Sequence, residues 1–240
     1  MQSEVINLIS EIPKYQSFTL TFVINIPMKS YIILVVVWLC FAPIQAQQII
    51  EKHMDFTGKE SLSLKIQIAD SINIQTWKKN EVYIKASVNI NENKENDAYV
   101  TSFDDSGKTI YVKANFKDNY FKGKKNCCNE TDIYWQLYIP AKTKFSVETI
   151  NANVTITGQT TEMNVKSISG YIDLTEPAGK HADIDFSTIS GRMYSNHELA
   201  SNKMHSGIPL KIAEKLNNGG DPIKLETISG DIFFRKSNVD

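Results

Sequence analysis

From Glu60 onward, apolar and polar residues alternate with a period of two along most of the chain. Leu62, Leu64, Ile66 and Ile68 come first, then Ile72 and Ile74, then Trp77 before a Lys78-Lys79-Asn80 turn. Val82, Ile84, Ala86, Val88 and Ile90 keep the same rhythm. This pattern predicts half-buried β-strands joined by tight turns. A polar break spans 91–97, and Asp104-Asp105-Ser106-Gly107 reads as a turn. Residues 109–116 and 132–139 supply two more strands, with hairpins expected and no helix of ordinary length.

Beyond Pro140 the chain repeats itself. Four segments align without gaps: 147–156 (VETINANVTI), 165–174 (VKSISGYIDL), 186–195 (FSTISGRMYS) and 225–234 (LETISGDIFF). Stacked in register they give columns. Val147, Val165, Phe186 and Leu225 form one, Ile150, Ile168, Ile189 and Ile228 a second, and Val154, Ile172, Met193 and Ile232 a third. Thr149, Ser167, Thr188 and Thr227 form a hydroxyl column, and Ala152, Gly170, Gly191 and Gly230 a column of minimal side chains. The isoleucines are 18, 21 and 39 residues apart, and a period near ~20 is the mark of a stacked repeat. Stacking predicts that the isoleucine ladder is a continuous core, with a bend at each Ser-Gly corner because the apolar positions change parity there. The double spacing before Ile228 predicts a degenerate coil, with 205–213 (HSGIPLKIA) as its remnant and the last coil as an open edge. The hydroxyl column is expected to bond its own corners. The same Ser-Gly steps also fit hairpin turns in an antiparallel sandwich.

The fold class is therefore all-β: N-terminal strands and hairpins leading into a short β-helix or β-solenoid-like stack of about 20-residue coils. The expected divisions are an N-terminal β region, 47–140, and a repetitive region, 141–240. Upstream, Met28-Lys29 precedes an unbroken apolar run, 31–41, and then Ala42-Pro43-Ile44-Gln45-Ala46. That order is a signal peptide over 28–46, cut after Ala46. Residues 1–27 do not belong in front of one and read as a mis-called extension. A signal-anchor is the other reading of the run, which is short for a bilayer span. Cys40 lacks the small residues a lipid-attachment site wants before it.

Charge adds little direction. The chain has 26 basic and 27 acidic residues, a net charge of −1, and 42% hydrophobic residues. There is no field to draw nucleic acid and too much apolar content for disorder. Past the signal peptide the only cysteines are Cys127 and Cys128. As neighbours they form a strained vicinal disulfide or stay as thiols. Alone they cannot make a structural zinc site.

Several features together carry a resemblance: Ile72-Asn73-Ile74-Gln75-Thr76-Trp77, Tyr138-Ile139-Pro140 and the four repeats, behind an export signal. The chain resembles the bacterial putative-adhesin domain family, from about Glu60 to Lys236. Asn151-Ala152 in place of Ser-Gly, and the interruption over 197–221, depart from the regular pattern. The resemblance implies an exported β-solenoid and surface adhesion. It brings no catalytic or ligand residues with it.

Candidate chemistry is sparse. Lys122, Lys124 and Lys125 with Tyr120 make a short basic, aromatic patch that could meet polyanions. Asp183 and Asp185 share a strand face, as paired acids for glycoside hydrolysis or a cation would. His181 and Asp183 likewise alternate onto one face. No phosphate loop, dinucleotide fingerprint or nucleophile elbow is present, and no cofactor is implied. The expectation is a non-enzymatic envelope or cell-surface protein that binds a surface glycan or an envelope protein. It would bind no nucleic acid and keep no membrane span after signal cleavage. The alternatives are a β-helix carbohydrate-active enzyme using Asp183 and Asp185, or a structural or signalling partner in the envelope.

Overall fold

The alternation seen in the sequence becomes fifteen strands in the computed structural model, which describes residues 47–122, 130–199 and 210–237. The proposed signal peptide and extension, Lys124, Lys125, both vicinal cysteines and His205 lie outside these residues. The N-terminal strands are β1 (Gln48–Asp55), β2 (Ser61–Ile66), β3 (Ile68–Trp77), β4 (Glu81–Ile90), β5 (Tyr99–Asp104), β6 (Thr109–Phe116) and β7 (Thr131–Pro140). The repeats supply β8 (Lys144–Thr157), β9 (Met163–Ser169), β10 (Ile172–Pro177), β11 (Ala182–Ser190), β12 (Met193–Ser195), β13 (Leu210–Leu216), β14 (Asp221–Ser229) and β15 (Ile232–Ser237). The chain is all-β, with one 3₁₀ turn at Asn96–Ala98. No helix of the described residues is long and apolar enough to cross a membrane.

The strands lie in two rows that share β8. The first row runs β5-β6-β2-β8-β9-β14-β11-β13. Its six inner strands are all parallel, and β5 and β13 are antiparallel edges. The second row runs β1-β4-β7-β3-β8-β10-β15-β12, parallel from β7 onward. The first half of β8 pairs with β2 and β9, and its second half with β3 and β10. The strand thus bends from one row into the other at Asn151-Ala152.

Side chains from the two rows meet in one core. Phe186 of β11 packs edge-on against Phe234 of β15, with ring centroids 5.3 Å apart. Trp135 of β7 donates its indole N–H to the Tyr99 hydroxyl of β5 at 3.2 Å, and Tyr99 donates to the Ile68 carbonyl at 3.0 Å. Burial holds the Tyr99 phenol far above its ordinary pKa. The core runs without a break across the boundary expected at Pro140.

The first repeat lies on β8, each later repeat places one strand in each row, and the repeats stack in register. Val147 pairs with Val165, which pairs with Leu225, which pairs with Phe186. The spatial order is therefore first, second, fourth, third. This corrects the expectation that the last coil is an open edge: β14 and β15 are inserted between their neighbours. The reason for the double spacing is also different. The chain leaves the stack after β12, returns as the antiparallel edge β13, and re-enters through the Asn217–Gly220 turn. Leu210 and Ile212 belong to that edge strand and not to a worn coil.

The parity change does fall at the corner, where β8 bends and Ile150 and Asn151 are both exposed between buried Thr149 and Ala152; what differs from expectation is which column faces the core. The hydroxyl column faces inward and the isoleucine column outward. Thr149, Ser167, Thr188 and Thr227 are buried, whereas Ile150, Ile168, Ile228 and Ile189 are 44%, 47%, 47% and 51% exposed. The inward hydroxyls bond the carbonyls of the corners. Ser167 gives its hydroxyl to Ser169 O at 2.8 Å, Thr188 to Gly230 O at 3.0 Å and Thr149 to Gln67 O at 3.3 Å. The hydroxyls take the inward positions, as the corner reading required, and each isoleucine one step on is turned to solvent. The glycine column follows from close stacking. A Cβ on Gly230 would overlap the Gly170 carbonyl oxygen, and one on Gly170 would overlap that of Ala152.

Candidate binding face

Strand alternation makes the outer side of the first row a set of straight lines of side chains, one from each strand. Nearest the corners, Gln67, Ile150, Ile168, Ile228 and Ile189 lie side by side. At the usual strand spacing the four isoleucines form an apolar ridge about 14 Å long. One step back along the strands lie Lys65, Glu148, Lys166 and Glu226, with charges alternating from strand to strand. Lys65 reaches Glu148 at 2.9 Å and Lys166 reaches Glu226 at 3.3 Å. Two lines further back, Lys144 and Glu162 pair at 2.9 Å.

Ridge and charges together border an open groove of about 700 Å³, with Ser167 and Thr227 at its base. The hydrogen bond from Lys224, 2.8 Å away, holds the Glu226 carboxyl below its ordinary pKa. The hydrogen bond that Lys144 donates to Glu162 holds its ammonium above its ordinary pKa. These groups stay charged across the neutral range. A groove lined by fixed charges and methyl groups suits a macromolecular surface and offers no reactive group.

The residues singled out in the sequence are scattered. Tyr120 stacks on Phe116, centroids 4.8 Å apart, and hydrogen-bonds Glu95, so it pins a turn to the core. Lys122 is exposed in that turn. Asp183 and Asp185 do share the outer face of β11, and Asp185 pairs with Lys211 of β13 at 3.3 Å. Neither aspartate lines the groove. Four strands separate β6, which carries the Tyr120 turn, from β11, so the two candidate patches do not converge. Among the described residues no group of three or more His, Cys, Asp or Glu side chains is placed to hold a metal. Ile150, Ile168, Ile189 and Ile228 were read as structural, and their exposure is what sequence reasoning missed. The signal was available: each Ile is an odd step from the buried residue that opens its repeat.

A row of aromatic rings crosses the outer face of the second row of strands. His53, Tyr83, Tyr138 and Trp77 follow one another, with Trp77 and Tyr138 5.3 Å apart and Tyr83 and Tyr138 6.0 Å apart. At such distances and tilts of about 30° the rings lean on each other's faces. Lys79 sits over Trp77 at 4.7 Å. These ring contacts tie β1, β4, β7 and β3 together across the sheet.

No protein-family model and no curated protein matches the sequence. The structure is similar to that of a putative cell adhesion protein from Clostridium sporogenes. The TM-score is 0.55 at 12% identity, over 80% of this chain and 100% of that one. The all-β fold is shared; identity that low carries nothing further. A putative lipid binding protein from Parabacteroides distasonis (TM-score 0.26, 10% identity) and a putative adhesin from Bacteroides fragilis (0.24, 9%) each match over 80% of this chain. They match over 97% and 99% of their own. Scores that low carry no argument.

Proposed function

We propose that this chain is a non-enzymatic, exported binding module of the adhesin kind. Its repeats form a short solenoid-like stack that presents the isoleucine ridge and its charge lines to a partner surface. The observation that carries this reading is the ridge. Four stacked isoleucines, each close to half exposed, form a contiguous apolar strip where, among the described residues, the parallel strands lack a covering layer. Parallel sheets are ordinarily covered on both faces, and contiguous exposed apolar patches mark interaction sites. The shared fold with a cell adhesion protein and the signal-peptide pattern agree with it.

The test is binding of the labelled chain from Gln47 onward to intact cells and isolated envelope polymers. That portion carries the whole described core. Binding is expected, together with a loss of at least about tenfold in affinity for Ile168→Asp and for Ile228→Asp. No binding to any such surface, or binding untouched by both substitutions, rejects the reading.

A further inference from the structure

The alternating charges have a symmetry of their own. Across β2, β8, β9 and β14 the line reads Lys65, Glu148, Lys166, Glu226. An even line of alternating signs becomes its own complement when reversed. A two-fold axis running along the strands, between β8 and β9, performs that reversal. It brings Glu148 opposite Lys166 of a second copy and Lys65 opposite Glu226. Two lines further on, Lys144 falls opposite Glu162. At the ridge, Ile150 meets Ile168, and Gln67 meets Ile228. Over the six parallel strands, β6 to β11, no like charges fall opposite: Lys113 faces Ser187, Lys224 faces Ser63, and Asp185 faces Tyr111.

We infer that this face pairs with the same face of a second copy, so that the partner of the binding module is the chain itself. The inference rests on the binding-face reading above and names its occupant. The contact is isologous, as a two-fold pairing requires, and keeps the strands of both copies aligned, the common geometry for stacked sheets. Its size is adequate. Six strands at ~4.8 Å and four outward positions at ~6.6 Å span roughly 700 Å² per copy with side-chain margins, near the ~800 Å² per partner of a standard interface. Pairing supplies the missing layer over the parallel strands and covers the isoleucines. Each surface charge pair becomes part of a four-charge cluster, which sets orientation as well as attraction.

Charge swaps test the symmetry itself. Glu148→Lys places lysines opposite Lys166 twice in every pair, and Lys166→Glu places glutamates opposite Glu148 twice. The wild-type chain from Gln47 is expected to sediment as a dimer at ~0.1 mM and to weaken as salt rises. Each single swap is expected to weaken self-association at least about tenfold. An equimolar mixture of the two singles is expected to associate, because every crossed contact is then opposite in sign. The double swap Glu148→Lys with Lys166→Glu is expected to recover it. Far-UV circular dichroism of each variant, and rescue in the mixture, separate lost pairing from lost folding. A monomeric wild type, or singles that fail to associate when mixed, overturns the inference. A monomer that still binds cell surfaces through Ile168 overturns only the self-partner and leaves the binding face standing. A dimer with this swap pattern that binds no surface keeps the inference and rejects the adhesin reading.

Discussion

Glu176 is the residue whose surroundings depart furthest from its chemistry. It sits at the end of β10 with none of its surface exposed, Oε1 against the Thr160 hydroxyl and Oε2 with no partner among the described residues. Burial raises its pKa above the ordinary 4.5, outweighing the hydrogen bond from Thr160 and the attraction of Lys180. Lys180 is itself committed to the Thr160 carbonyl at 2.6 Å and to Asp221 at 2.8 Å. The folded carboxyl holds its proton to higher pH than the unfolded one, so the native state binds the extra proton. The stability this group contributes is present below 4.5 and is lost as pH rises through that value towards the folded one. Its slope is at most about 1.4 kcal/mol per pH unit. Glu176→Gln removes the titration while keeping the shape. Urea unfolding from pH 4 to 8 should show the variant gaining on the wild type as pH rises, with the two closest at the acid end. Parallel curves for the two proteins would contradict the raised pKa.

At the scale of elements, the corner exchanges the roles that hydrophobicity alone assigns. Thr188 is buried and donates to Gly230 O, and Ile168 is exposed because the position beside the hydroxyl points outward. Thr188→Val, nearly isosteric, should therefore cost about 1 kcal/mol by removing that part-buried hydrogen bond. Ile168→Ser should cost less than about 1 kcal/mol, as exposed substitutions do. Chemical denaturation of both variants checks the order, and a larger cost for Ile168→Ser would restore the isoleucine to the core. Much of this was legible in the chain. Strand existence, the bounds of β6, the corner hydroxyls and the registered columns all follow from period-two alternation and repeat spacing. The layer formed by β2 and β3 was not. It stacks on β8 with Leu64 beside Val147 and Ile72 beside Val154. Those pairs are eight residues apart in one strand pair and seven in the other. The extra residue is taken up where the register shifts between Ile68 and Ser71, so a gapless alignment passes over it. The ridge was hidden for another reason: a column of identical isoleucines looks like core until the odd step from the buried residue that opens each repeat is counted.

For the whole molecule, the decisive fact is the order in which the repeats stack. In a sequential stack the last coil lies on the end, and its loss leaves a shorter but intact structure. Here β14 lies between β9 and β11, and β15 between β10 and β12. The segment from Asp221 to Ser237 thus supplies the middle of both rows. Without it, β11 and β12 have no partner joining them to β9 and β10, and Val165, Ile172, Phe186 and Met193 lose the Leu225, Ile232 and Phe234 side chains that separate them. The outermost pairs of the stack therefore cannot settle until the C-terminal residues arrive, and contacts that distant in sequence form slowly. A chain ending at residue 199 should lose the cooperative thermal transition of the full protein and not merely shift it. Adding a peptide of residues 210–240 should restore part of that transition, since the gap it fills has a fixed register on both sides. Far-UV circular dichroism on the truncated chain, alone and with the peptide, reads both outcomes. A truncated chain that melts cooperatively within a few degrees of the parent would mean that the first two repeats and the third pack without the insertion, and that the observed stacking order is not what holds the molecule together.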